Sequence, residues 1–182
     1  MSLVISVVAA TPAQHATPLL AVAVPVGGMP ASLSPLDAAT GGAIQRLFAS
    51  GDFTGKKDEL AVLHPVGPAP RIVMVGLGKP ADLGRTAVRR AAGAAAKRAR
   101  TIGVPHAAFY LTPEGRGALS AQEVGQVVAE GLGLGAWHYA ELKQPPEEKK
   151  PALERFTILA PEDTAQVEKG HAIGAAVAAG QA

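Results

Sequence analysis

The chain has 182 residues, 48% of them apolar and 18% charged, with a formal net charge of +2 at neutral pH. That length supports one well-buried core with little left over for a second, the composition argues against disorder, and the charge is too small to imply a nucleic-acid partner by itself. The lack of cysteine excludes disulfides and thiolate metal sites.

The opening, "MSLVISVVAATPAQH", lacks the basic segment and long apolar core of a secretion signal. No uninterrupted apolar run is long enough to span a bilayer, so the expectation is a cytoplasmic protein with no membrane partner. "LVISVVAA" (Leu3–Ala10) and "LLAVAVPV" (Leu19–Val26) are short runs rich in β-branched residues and predict strands. "SPLDAATGGAIQRLFASG" then predicts one helix, with Ser34 as N-cap, Pro35 at the first helical position and Gly51 as the stop. Leu36, Thr40, Ile44, Leu47 and Phe48 recur on one face of it.

"ELAVLHPV" (Glu59–Val66) and "RIVMVGLG" (Arg71–Gly78), joined by "GPAP", predict a hairpin whose second strand is apolar on both sides, as a central strand is. A long helix is expected from about Asp82, its N-cap, to Ile102. Val88, Ala91, Ala92, Ala95, Ala99 and Ile102 form its buried stripe, with Arg85, Arg89, Arg90, Lys97 and Arg100 on the opposite arc. "HAAFYL" (His106–Leu111) predicts a strand. "SAQEVGQVVAEGLGLGAWHYAELK" opens with a capping box, Ser120 with Glu123, and predicts a helix. After the polar loop "QPPEEKKPA", "ERFTILAP" predicts a last strand and "EDTAQVEKGHAIGAAVAAGQA" a last helix. Strands interleaved with helices predict a three-layer α/β/α domain with a mixed sheet. From Ile173 onward the last helix is apolar or small nearly all round, so it is expected to pack on more than one side, as if a further domain followed.

Candidate chemistry is sparse. Gly76-Leu77-Gly78-Lys79-Pro80-Ala81 matches the loose form of a dinucleotide turn. Pro80 removes an amide where the pyrophosphate would sit, and no carboxylate stands about 20 residues further on. The stretch is expected to turn the backbone and grip no phosphate. The basic helix face could meet nucleic-acid phosphates, but no aromatic residue is interleaved to stack bases. His15, His64, His106, His138 and His171 are scattered, without metal-ligand spacing. Asp37, Asp52, Asp58, Asp82 and Asp163 read as caps, turns and exposed positions, and there is no Gly-x-Ser-x-Gly elbow. The residues therefore assign no catalytic, cofactor-binding or metal-ligating position in this chain.

Taken in order, "LDAATGGAIQRLFASGDFTGKKDEL", with its Gly-Asp-Phe-x-Gly-Lys turn at Gly51–Lys56, and "RIVMVGLGKPADLGRTAVRRAAGAAAKRAR" resemble the N-terminal domain of the leucyl (cytosol) aminopeptidase family. "AWHYAELK" is similar to that family's aromatic-rich helix end before a lysine, with Trp137, Tyr139 and Leu142 where Tyr, Phe and Tyr are expected. The resemblance implies a macro-domain-like α/β/α fold over residues 1–160, with residues 161–182 starting a connector helix toward a C-terminal catalytic domain. It implies a parent enzyme that removes N-terminal residues from peptides with two divalent metals, zinc or manganese, usually as a hexamer. The family's catalytic signature Asn-Thr-Asp-Ala-Glu-Gly-Arg does not occur here, so none of its functional residues maps onto this chain. The segment would be an accessory domain serving assembly and substrate access. The alternatives are a macro-like module binding ADP-ribose or another nucleotide near Gly76–Gly78, and a DNA-binding accessory domain using Arg89, Arg90 and Lys97.

Overall fold

Each apolar run read as a strand forms one in the computed structural model, which describes residues 2–137 and 149–181. In chain order the elements are β1 (Val4–Val8), β2 (Leu20–Val24), α1 (Ser34–Ala39), α2 (Ala43–Ser50), β3 (Leu60–Leu63), β4 (Ile72–Gly76), α3 (Arg85–Ile102), β5 (His106–Leu111), α4 (Pro113–Arg116), α5 (Ala121–Ala136), β6 (Arg155–Leu159) and α6 (Thr164–Gln181). The strands make one six-stranded sheet in the order β1-β6-β5-β2-β4-β3. Only β3 runs antiparallel, through the hairpin to β4, where Leu60 pairs with Val75 and Leu63 with Ile72. Central β2 is matched by β4 on one side (Leu20 with Ile72) and β5 on the other (Leu20 with Ala108).

Because side chains alternate along a strand, β2 sends Ala21 and Ala23 to one face of the sheet and Leu20, Val22 and Val24 to the other. The first face carries α3, α5 and α6, whose Val88, Ala95, Val127, Val128 and Val167 share one core with Val73 and Phe109. The second is covered by α1 and α2, with Leu33, Leu36, Ile44 and Phe53 packed over Ile72, Met74 and Tyr110. The fold is thus the expected α/β/α sandwich around a mixed sheet.

Three helix boundaries differ from expectation. The single helix expected over Ser34–Gly51 is two, broken at Thr40–Gly42, because Gly41 and Gly42 take left-handed φ values of 65° and 79°. Asp37 then spans the break, its carboxylate accepting the Gln45 N–H at 2.8 Å. Ser34 is the first helical residue and not a cap, since a 3-10 turn at Ala31–Leu33 runs directly into α1. Gly51 ends α2 as expected, with φ 78° and its N–H on the Phe48 carbonyl. The long helix starts at Arg85 behind Gly84, while Asp82 sits in a separate 3-10 turn, Pro80–Asp82, and caps nothing there. Leu83, extended at ψ 142°, separates the two. Ser120 does cap α5, accepting the Glu123 N–H at 3.1 Å.

The arginine arc of α3 also differs. Arg85, Arg89 and Arg100 turn toward α5: Arg85 pairs with Glu123 at 3.2 Å, and Arg100 donates to the Trp137 carbonyl at 2.5 Å. Arg89 meets the buried Glu130 through Nε at 2.8 Å and Nη2 at 2.7 Å, and Gln126 takes the other carboxylate oxygen at 3.0 Å. Partners that advance together along both helices mean that α3 and α5 run parallel. Glycines bring the backbones close. A Cβ on Gly131 would strike the Arg89 carbonyl and one on Gly135 the Gly93 carbonyl. Likewise Gly125, Gly170 and Gly174 meet Val167 or Gln122 and Gln126 backbone where α6 lies along α5.

Gly131→Ala should therefore destabilise by about 2 kcal/mol or more, lowering the melting temperature by about 5 °C. Gly180→Ala, where a methyl meets open space, should be neutral or slightly stabilising. Arg89→Ala strands the Glu130 charge and should cost about 3 kcal/mol in urea unfolding. Arg89→Met combined with Glu130→Leu should recover most of that loss, and Lys97→Ala, exposed on α3, should change little.

Candidate functional site

In open sheets of this kind, ligands sit beyond the carboxyl ends of the parallel strands, where the strand order reverses. Here the order reverses at β2, flanked by β4 and β5. On the β4 side stands the Gly76–Gly78 turn, and its amides are all engaged. Gly76 donates to the Glu59 carbonyl at 2.8 Å, Leu77 to Val24 at 2.9 Å and Gly78 to Gly55 at 2.9 Å. Gly76 is glycine because the Lys56 carbonyl occupies the place of its Cβ, and Gly78 because its φ is 97°. The turn is a close backbone junction with no spare donors for a phosphate.

On the β5 side the crevice is bridged. The buried Thr112 hydroxyl donates to the Ala23 carbonyl at 2.9 Å, tying the loop after β5 to β2. One residue into α4, Glu114 accepts the Ser32 N–H at 3.2 Å and the Ser32 hydroxyl at 2.6 Å, linking α4 to the 3-10 turn before α1. Beside it the Tyr110 phenol is pushed up, first by burial and then by the Glu114 and Glu162 charges, so it stays protonated at neutral pH. Phe109, Val124, Val128, Ile158 and Val167 line an adjoining cavity of about 140 Å³, with Arg116 and Glu162 as its charged members. That volume suits a few waters, well short of the roughly 300 Å³ of a small-molecule site.

The histidines and acids named from the sequence are not brought together. His64 and His106 are exposed, and His15 and His171 are half-buried on separate elements. Among the described residues no group of three His, Cys, Asp or Glu could hold a metal ion, and no helix is long and apolar enough to cross a membrane. Asp58 and Asp163 occupy left-handed turns, with φ of 64° and 54°. His138, Tyr139, Leu142 and most of the polar loop lie outside the described residues.

A polar feature the sequence reading missed is the clasp formed by Glu59. Its carboxylate accepts the Thr54 N–H (3.1 Å), the Thr54 hydroxyl (3.0 Å) and the Lys56 N–H (3.0 Å). The signal lay in the spacing, a Thr five residues before a Glu across a Gly-Lys turn, which resembles an Asx-type turn run backward. Partial desolvation pushes the Glu59 carboxyl up, but the Thr54 and Lys56 hydrogen bonds and the Lys56 charge outweigh it, holding the group below its ordinary 4.5. A depressed folded-state value means the clasp stabilises fully above the unfolded value and is lost as pH falls through the folded one. Glu59→Gln should melt below the wild type at neutral pH, by about 1 kcal/mol because the site is partly exposed. The gap should narrow as pH falls below the ordinary carboxyl value of 4.5 and close as it passes through the lower folded-state value, as thermal melts across pH will show.

Comparisons with known proteins agree with this architecture. Residues 21–146 match the model of the "Cytosol aminopeptidase family, N-terminal domain". The "Probable cytosol aminopeptidase" of Geobacter sp. (strain M21) is 36% identical over 153 residues, covering 83% of this chain and 30% of that protein. Its counterpart in Pseudomonas aeruginosa (strain UCBPP-PA14) is 32% identical over 159 residues, covering 84% and 31%. This chain thus spans about a third of the length of those relatives. Among solved structures, a mutant tomato leucine aminopeptidase superposes with a TM-score of 0.78 at 23% identity, over 98% of this chain and 36% of that one. A Trypanosoma brucei macrodomain gives 0.68 at 13% identity, over 92% and 65%, a likeness of fold alone. The chain belongs to the cytosol aminopeptidase family, as its N-terminal domain.

Proposed function

We propose that this chain is the non-catalytic N-terminal domain of a metal-dependent aminopeptidase that releases N-terminal residues from peptides. Its partner is a C-terminal catalytic domain of the same polypeptide, which holds the two divalent metals, and the domain serves assembly, as a hexamer, and access of substrate. The observation that carries the reading is the placement of the match: an N-terminal-domain model over residues 21–146, and relatives named aminopeptidases of which this chain covers about 30%. A scaffold role is supported by the Gly76–Gly78 amides, the Thr112 hydroxyl and the Glu114 carboxylate, which are occupied in holding strand ends and neighbouring loops together.

Residues 161–182 have two tasks on this reading. One face of α6 closes the helical layer through Val167, Gly170, Gly174 and Ala178. The other exposes Ile173 and Val177, 43% and 37% accessible, in a helix with no charged residue after Lys169. That outer face suits a connector that packs against the catalytic domain.

The 182-residue chain should hydrolyse leucine amides no faster than buffer when supplied with manganese or zinc, whereas the longer polypeptide of the same gene should do so and lose activity on chelation. Metal-dependent turnover by the 182-residue chain would overturn the proposal.

A further inference from the structure

We propose that the cavity of about 670 Å³ walled by Lys56, Lys57, Gly78, Lys79, Thr86 and Arg90 is a binding site for a small phosphorylated molecule. Its volume falls within the several hundred cubic ångströms of small-molecule sites. Four cations converge on it from three stretches distant in sequence: the turn held by Glu59, the segment after β4, and the second turn of α3. Asp82 is its single carboxylate.

These cations differ from the others nearby. Arg85, Arg89 and Arg100 are engaged by α5. Lys56, Lys57 and Lys79 have no carboxylate within ion-pairing distance among the described residues, and Arg90 has only Asp58 at 3.9 Å, with both side chains well exposed. An exposed pair at that separation contributes little. The four cations outnumber the carboxylates near them, Asp82 in the lining, Asp58 beside Arg90 and Glu59 near Lys56, and a bound anion would relieve the repulsion that remains.

The surroundings favour a defined ligand over a diffuse ion cloud. Leu77, Val26 and Ala87 form an apolar wall against which the non-polar part of such a ligand can rest. The Glu59 carboxylate fixes the backbone that carries Lys56 and Lys57, accepting N–H groups of Thr54 and Lys56, so less ordering is needed on binding. With the amides of the Gly76–Gly78 turn consumed, the anion would be held by side chains: ammonium point charges, and the two-pronged guanidinium of Arg90. Asp82 can accept a ligand hydroxyl, and it repels a continuous polyanion. A small phosphorylated molecule fits that charge pattern better than a nucleic-acid strand.

The test is calorimetric titration of the 182-residue chain with inorganic pyrophosphate at low and at physiological salt. Saturable one-to-one binding that weakens with salt is expected. Lys57→Ala combined with Lys79→Ala, and separately Arg90→Gln, should each weaken it about tenfold or more, with melting temperature unchanged. Lys97→Ala should leave affinity within about twofold, as expected for a charge outside the cavity. No saturable heat, or equal weakening by Lys97→Ala, would overturn the proposal. So would tighter binding of a short DNA duplex that survives loss of Lys57 and Lys79.

Discussion

Close approach of three parallel helices is the constraint on which the rest of the structure depends. Parallel strands lie about 4.8 Å apart, whereas a helix with its side chains is about 10 Å across. Each of α3, α5 and α6 follows a parallel strand and returns over the same face of the sheet. Three helices cover that face well only if they crowd together, toward the low end of the usual 8–10 Å separation. Small residues make this possible. Gly131 and Gly135 admit the α3 backbone, Gly125 admits α6, and Gly170 and Gly174 admit α5. The buried alanines of α3, Ala91, Ala92, Ala95, Ala96 and Ala99, continue the same solution toward the sheet. The glycine and alanine content of the chain is the compositional trace of that geometry.

Crowding also governs where charge can go. With helix backbones so close, an arginine at the α3–α5 seam lies beside the neighbouring helix, and a carboxylate buried there needs it as a partner. Arg89 fills that role for Glu130, which is 6% exposed and further satisfied by Gln126. Such a pair adds little net stability but is costly to break, so it fixes register between the helices. Arg90, one residue on, lies on the other side of α3 and is free to face the loop carrying Lys56 and Lys57. A helix with evenly spread positive charge in sequence thus becomes neutralised along one flank and cationic along the other.

Much of this was legible in sequence, for identifiable reasons. Strands came from local apolar runs, and β5 spans His106–Leu111 as expected because neighbouring residues define it at both ends. Ser120 caps α5 and Gly51 ends α2, since both signals are chemical and local. The reading failed where the deciding partner is distant. Nothing near Gly41 and Gly42 distinguishes a tolerated helical glycine pair from a break. The break is fixed by Asp37 reaching Gln45 and by Gly67 admitting the Ala39 carbonyl. Asp82 has the chemistry of a cap, but the Pro80–Asp82 turn places it too early. Periodicity puts Arg89 on the arc opposite the buried stripe, because it locates one buried face, toward the sheet, and says nothing of a second toward α5. Of the polar sites, the Ser32–Glu114 bridge is visible only once the chain is folded, because it joins residues far apart in sequence, whereas the Glu59 clasp is local and leaves a trace in the spacing of Thr54 and Glu59.

The two faces of the sheet carry different consequences for the proposed role as one domain of a larger enzyme. The α1–α2 face is closed by bulky side chains such as Phe53, Leu33 and Leu36, so it needs no partner to complete it. The α3–α5–α6 face is closed between helices but finishes on α6, whose outer flank shows Ile173 and Val177, next to the β1 edge with Val4 and Val8 exposed. Apolar surface left in water forgoes roughly 25 cal/mol per Å² that burial would supply, and an uncovered strand edge invites pairing. Both unpaired features fall at the same end of the sheet, beyond β6, while the cationic cavity lies toward the opposite, β4 end. On the proposed reading, attachment of a catalytic domain through α6 would therefore cover the apolar end and leave the charged one accessible to solvent, so that docking and anion binding need not compete for the same surface.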